Sequence, residues 1–195
     1  MKERTITRTT LSWIGLTCAL IVPFAIAATS PLLAWREPLY IAAAFAGVFG
    51  LGLLLLQPLL AGNALPGLTA GRSTRLHRLI GIVLIAAVAL HVIGLWFTSP
   101  PDVVDALLFR SPTPFSVWGV IAMWAIVGAA LLAACRRHLQ RHTWRIGHTM
   151  LAIVTVASTA AHALLIEGTM GAVSKALLCV LVLGATVKVV VGKWT

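Results

Sequence analysis

Six long apolar stretches limit most strongly what this chain can fold into. Each has close to the 20 or so residues that an α-helix needs to cross the hydrocarbon core of a bilayer. Lipid offers the backbone no hydrogen-bond partners, so a segment that crosses it must be helical or part of a closed barrel. Stretches of this length indicate helices. They lie at residues 11–28, 39–61, 76–97, 115–135, 146–166 and 173–191.

The composition agrees with a membrane protein. Of the 195 residues, 59% are hydrophobic and 10% are charged, whereas a soluble domain carries roughly a quarter charged residues. The chain therefore has too few polar side chains to cover a globule. We predict an all-α polytopic bundle of six transmembrane helices that forms a single domain over residues 1–195. The three cysteines lie in or beside apolar stretches without a C-x-x-C motif, so no disulfide framework or zinc knuckle is indicated.

Basic residues alternate between the connections and predict an orientation. Twelve of the fifteen lysines and arginines fall on one side of the predicted bundle, and by the positive-inside rule that side is cytoplasmic. Both termini are then cytoplasmic, and topology accounts for the net charge of +10 without nucleic acid as a partner. Lys175 and Lys188, near the ends of the sixth stretch, are expected to extend to the interface. The twelve are Lys2, Arg4, Arg8, Arg72, Arg75, Arg78, Arg136, Arg137, Arg141, Arg145, Lys188 and Lys193.

The first apolar stretch has two interpretations. The segment MKERTITRTT, the apolar run after it and an A-x-A-like site at residues 25–27 also resemble a cleaved signal peptide. Cleavage would leave five spans in the same orientation. We favour a retained first helix, because the run is long enough to cross the bilayer.

Four histidines lie inside this apolar sequence at a repeated spacing. His77 and His91 are fourteen residues apart in the third stretch, and His148 and His162 are fourteen apart in the fifth. Fourteen residues of α-helix make almost four turns and advance about 21 Å, so each pair shares one helix face at two depths. The third and fifth helices run in the same direction. We therefore expect His77 to face His148 at an inner level and His91 to face His162 at an outer level.

Facing histidines favour one kind of chemistry over two alternatives. A histidine within a membrane is costly and usually functional, although it can simply form a hydrogen bond between helices. Zinc is a second alternative, but no acid or thiolate stands near either pair to complete a tetrahedral set. Haem iron takes one ligand from each side of its plane, which two facing histidines can provide. Such six-coordinate iron transfers single electrons.

These segments resemble a known family. HRLIGIVLIAAVALH and HTMLAIVTVASTAAH, on the third and fifth of six predicted helices, are similar to the ferric reductase transmembrane domain. That family includes the membrane halves of ferric reductases and NADPH oxidases, and the haem subunit of the bacterial methionine sulfoxide reductase system. The resemblance implies two b-type haems, with His77 and His148 as inner ligands and His91 and His162 as outer ligands. It also implies an integral protein of the bacterial inner (plasma) membrane.

Basic residues near the two levels are candidates for binding haem propionates, which favour Arg and Lys. An alternative is that they only set the topology and contact lipid headgroups. The inner connection RRHLQRHTWR also contains His138 and His142, which we predict to be surface residues. Its positive charge could steer an acidic flavoprotein to this side. The propionate candidates are Arg75, Arg78 and Arg145 at the inner level and Arg110 at the outer level.

The resemblance also bears on function. Larger family members continue into flavin- and nicotinamide-binding domains, whereas this chain stops at GKWT, residues 192–195, and contains no strand–G-x-G-x-x-G–helix unit. We expect no flavin on this chain alone, a separate flavoprotein or quinol as cytoplasmic-side donor, and an extracytoplasmic acceptor. The protein is then a haem subunit of an oxidoreductase, with no residue in covalent catalysis. A quinol-linked cytochrome b subunit and a haem-free membrane anchor or metal carrier remain alternatives.

Overall fold

The computed structural model describes residues 2–194, and every regular element in that range is helical. The side chains at positions 2–5, 8, 193 and 194 lie outside the description, including Lys2, Arg4, Arg8 and Lys193 of the predicted inner side. Single 3-10 turns at Pro31–Leu33 and Arg136–His138 join some of the helices. The α-helices are α1 (Lys2–Ala28), α2 (Pro38–Ala61), α3 (Ala70–Thr98), α4 (Pro100–Leu107), α5 (Pro114–Ala134), α6 (Arg141–Leu165) and α7 (Ala172–Trp194).

Six of these helices are long and apolar enough to cross a membrane, and only α4 is too short. The predicted all-α fold with six membrane helices is therefore confirmed. The helix α3 begins six residues before its apolar stretch, where the Thr69 side chain accepts a hydrogen bond from the Arg72 N–H and caps the helix. Its 29 residues span about 43 Å, so its basic first turns extend beyond a hydrocarbon core of about 30 Å.

Two antiparallel hairpins organise the bundle. The helices α2 and α3 pack closely along their length, as do α5 and α6, and α7 joins the hairpins by packing on both α2 and α6. The helix α1 lies at the periphery against α2 and α7. Within residues 2–194, α3 and α6 are not among the helix pairs in extended backbone contact. The buried core where α2, α3, α6 and α7 meet contains Leu51, Leu54, Leu55, Leu84, Val156, Ala160, Leu178, Cys179 and Val182.

Candidate functional site

The inner level brings together the two histidines that the spacing predicted there. His77 on α3 and His148 on α6 are half-buried, and their ring centres lie 6.3 Å apart with the ring planes inclined at 77°. Because the backbones of α3 and α6 do not pack closely, the two side chains approach each other across the space between the hairpins. The expected inner pair is thus formed by side chains from two different hairpins.

Each inner histidine has a different neighbour. The Nδ1 atom of His77 lies 3.2 Å from the Gln57 carbonyl oxygen, and the Gln57 side-chain amide donates in return to the His77 carbonyl at 3.3 Å. His148 instead stacks on the indole of Trp144, one turn earlier on α6, at 5.6 Å and 14°. The Trp144 Nε1–H is buried and has no acceptor among the described residues. The His77 ring therefore lies against a backbone carbonyl, and the His148 ring lies against a side chain.

The outer histidines are held by backbone atoms of the neighbouring helix. The Nδ1 atom of His91 lies 2.8 Å from the Ala43 carbonyl oxygen of α2, and that of His162 lies 2.8 Å from the Phe115 carbonyl oxygen of α5. A carbonyl oxygen can only accept, so Nδ1 carries the proton in both rings and Nε2 has the lone pair. The outer pair therefore repeats one arrangement in both hairpins.

A glycine lies under each outer ring. A Cβ atom added to Gly47 of α2 would lie 2.9 Å from Nδ1 of His91, and one added to Gly119 of α5 would lie 2.7 Å from Nδ1 of His162. Each glycine stands four residues after the carbonyl that accepts the hydrogen bond. The two rings thus lie against helix backbone at positions that have no side chain.

Comparison with known families agrees with the arrangement of the helices. The family model described as ferric reductase like transmembrane component matches residues 46–159, which is more than half of the chain. The chain belongs to this family. The match contains His77, His91 and His148, and His162 lies three residues beyond it. Searches of curated proteins and of solved structures find no match. The predicted family is confirmed, and domains of this family generally bind haem and carry electrons across membranes.

Other residues considered from the sequence lie outside this cluster. His138 and His142 are exposed, and the Arg137 Nε–H donates to Nε2 of His138 at 3.1 Å. Among the described residues, no group of three or more His, Cys, Asp or Glu side chains could hold a metal ion. The four propionate candidates, all exposed, are Arg75, Arg78, Arg110 and Arg145.

Lys175 does not extend to the interface as expected. Its side chain is buried, with 9% exposure, and Nζ donates to the carbonyl oxygens of Leu164 and Ile166 at 3.5 and 2.5 Å. These carbonyls belong to the C-terminal end of α6, which favours a cation. The expectation was wrong because these carbonyls lie within hydrogen-bond distance of the ammonium group and keep the side chain buried. Lys188 is exposed, as expected. Lys175 thereby fixes the helix end just beyond His162.

Four site residues were not identified from the sequence as part of the site. Gln57 had the clearest signal, because it is the only Gln or Asn within the six apolar stretches. The acceptors on α2 gave another signal: Ala43 and Gln57 are fourteen residues apart, like the histidines that bind them. Gly47 and Gly119 carry no comparable signal, since glycine is common in membrane helices. The fourth residue is Trp144.

Proposed function

We propose that this member of the ferric reductase-like family carries electrons across the bilayer through two b-type haems. The inner haem is bound by His77 and His148 and the outer by His91 and His162. The donor is a separate flavoprotein or a quinol on the cytoplasmic side, and the acceptor is extracytoplasmic. The protein acts as the haem subunit of an oxidoreductase in a bacterial inner membrane, with both termini cytoplasmic and its six helices forming one domain.

The spacing of the inner rings is the observation that carries the proposal. Two imidazoles bound through nitrogen to one metal, with bonds of about 2 Å on each side, have ring centres about 6 Å apart. The ring centres of His77 and His148 lie 6.3 Å apart. The Nδ1 atom of His77 is already directed at a carbonyl, so coordination would use Nε2. The side chains therefore stand at the separation that axial ligation of one iron requires.

Two further features fit a large planar group with carboxylates. The helices α3 and α6 are not in extended backbone contact, although each packs closely on its partner in its own hairpin, which fits a group held between their side chains. The buried Trp144 N–H beside His148 has no acceptor among residues 2–194 as far as their side chains are described, whereas a buried indole N–H usually has one. Exposed Arg75 and Arg78 lie near the start of α3, and exposed Arg145 lies near the start of α6. Exposed Arg110 lies between α4 and α5. We propose that these four arginines contact propionates.

The hydrogen bonds of the histidines support ligation rather than compete with it. Histidines that bind metal usually donate the other ring N–H to a carbonyl or carboxylate, which fixes the tautomer and makes the ligand more basic. His91 and His162 have this arrangement at 2.8 Å. Each such bond uses only one ring nitrogen, so it is compatible with metal at the other. When bound, bis-histidine haem supplies reversible one-electron transfer.

Spectroscopy of the purified protein tests the proposal. We expect a low-spin haem b spectrum and about two haems per chain, as two histidine pairs would bind. Replacing His77 and His148 together by Ala should remove the inner haem alone. Replacing His91 and His162 should remove the outer haem alone. The matched control is the double replacement of His138 and His142, both exposed histidines, which should retain both haems.

Two outcomes would overturn the proposal. A colourless protein that folds normally would favour a haem-free membrane anchor or metal carrier. Retention of both haems in both double variants at the paired positions would show that other residues bind them. The donor is tested separately in membrane vesicles: haem reduction that depends on added quinol identifies a quinol-linked cytochrome, and reduction that needs a flavoprotein identifies a protein donor.

A further inference from the structure

We infer that Gly47 and Gly119 are positioning residues that set the orientation of the two outer histidines, and with it the electronic properties of the outer haem. Each glycine leaves a place on the neighbouring helix in which one ring can reach a backbone carbonyl. The inference rests on the proposed function where it concerns haem. The placement of the rings against the glycines is a property of the polypeptide itself.

The clearance above each glycine is too small for any side chain. A Cβ at Gly47 would lie 2.9 and 3.1 Å from Nδ1 and Cε1 of His91. A Cβ at Gly119 would lie 2.7 and 2.8 Å from the same atoms of His162. Carbon and nitrogen atoms that are not bonded prefer about 3.5 Å or more, so even a methyl group must displace the ring.

The position of each glycine follows from the hydrogen bond. In an α-helix the N–H of residue i+4 donates to the carbonyl of residue i, so Gly47 and Gly119 share the acceptors of the two rings. Both outer rings reach this oxygen over the Cα of residue i+4, which is the glycine. The acceptors themselves are Ala43 and Phe115, which shows that any residue can supply the carbonyl. The glycine is the residue-specific feature that both outer rings share. At His162 the Phe115 ring adds an edge contact, with ring centres 5.9 Å apart.

The inner level provides an internal comparison. The acceptor for His77 is the Gln57 carbonyl, and the residue four positions later is Ala61, which has a methyl group. The Nδ1 to oxygen distance is 3.2 Å there, against 2.8 Å at both outer rings. The two shorter hydrogen bonds are thus the ones whose acceptor is followed, four residues later, by a glycine. A shorter bond makes the imidazole more basic and stabilises the oxidised iron that it binds.

Alanine substitution of each glycine tests the inference. In Gly47→Ala and Gly119→Ala, we expect the outer haem to show a changed low-spin electron paramagnetic resonance signal and a higher midpoint potential, while the inner haem keeps both. The controls are Gly50→Ala on α2 and Gly128→Ala on α5, where an added Cβ would meet neighbours at ordinary distances of 3.7 and 3.5 Å. The controls should match the unmodified protein. If Gly119→Ala does not accumulate, Gly47→Ala tests the inference alone, because its clearance is larger.

Nitrogen-15 resonances of histidine in protein prepared without haem provide a second test. The Nδ1–H signals of His91 and His162 should show a strong hydrogen bond that weakens in the matching glycine variant. Unchanged resonances and unchanged outer-haem signals in both variants would overturn the inference. So would equal changes in the two controls. If the unmodified protein binds no haem but the resonances respond as expected, the proposed function fails and the positioning role stands.

Discussion

The inner and outer histidines are fourteen residues apart on both α3 and α6, but the two levels differ in what holds the rings. The outer rings depend on backbone carbonyls and on the absence of side chains at Gly47 and Gly119. At the inner level the Gln57 carbonyl accepts from the His77 ring, the Gln57 side chain bonds the His77 backbone, and the Trp144 ring stacks on His148. Two levels with the same predicted ligands therefore have different sensitivities to substitution.

This difference shows how one hairpin geometry can provide two environments. At three of the four histidines, a backbone carbonyl oxygen of the neighbouring helix lies within hydrogen-bond distance of the ring Nδ1. The two accepting carbonyls on α2 are fourteen residues apart, like the two histidines on α3. Side chains add contacts that differ between the levels. Gln57 and Trp144 act at the inner level. The Phe115 ring packs edge-on against His162 at the outer level, and Lys175 acts just beyond it. Substitutions at these side chains should therefore affect one level at a time, which is how the comparison can be tested.

The largest effect is expected at Lys175, next to the outer level. Lys175→Met removes a charged donor from the carbonyls that end α6, at a cost of about 2 kcal/mol of stability. It also removes a buried positive charge near His162, so the midpoint potential of the outer haem should fall while that of the inner haem is unchanged. Thermal unfolding in detergent and a redox titration measure the two effects. Lys188→Met, an exposed lysine on the same helix, is the control and should change neither. An equal fall at both haems would contradict a local role.

The second effect concerns the inner level alone. Trp144→Ala removes the ring stacked on His148, an interaction of about 1 kcal/mol, which corresponds to a several-fold weaker hold on the inner haem. Haem content and the inner low-spin signal should decrease, and the outer signal should remain. Trp124→Ala, at an exposed tryptophan of α5, is the matched control. Equal loss of both haems in Trp144→Ala would contradict the division into two levels.

The sequence predicted the features that depend on regular repetition. Six apolar stretches gave the six membrane helices, because span length is set by the bilayer and can be counted along the chain. The spacing of fourteen predicted that His77 and His148 meet, because helical periodicity is fixed by backbone geometry. Both predictions use properties of a single helix. No knowledge of how helices pack was needed beyond their common direction.

The contacts between helices could not be predicted in the same way. Which carbonyl faces His91 depends on the offset between α2 and α3, and no local pattern encodes that offset. Gly47 and Gly119 are two of sixteen glycines, and the sequence does not distinguish them from the others. The direction of Lys175 depends equally on tertiary structure, because the end of α6 provides acceptors only after α7 has packed.

The smallest effect is expected at Gln57, where backbone and side chain both contact His77. Gln57→Leu removes the side-chain bond of 3.3 Å and leaves the carbonyl acceptor, so stability should fall by about 0.5–1 kcal/mol and the inner haem should stay bound with a slightly changed low-spin signal. Ser73→Ala is the matched control, since it removes another bond between α2 and α3, the one from the buried Ser73 hydroxyl to the Leu60 carbonyl. It should cost a similar amount of stability without changing either haem. Complete loss of the inner haem in Gln57→Leu would show that the side chain, and not the backbone carbonyl, holds His77. Backbone carbonyls would then position histidines only at the outer level.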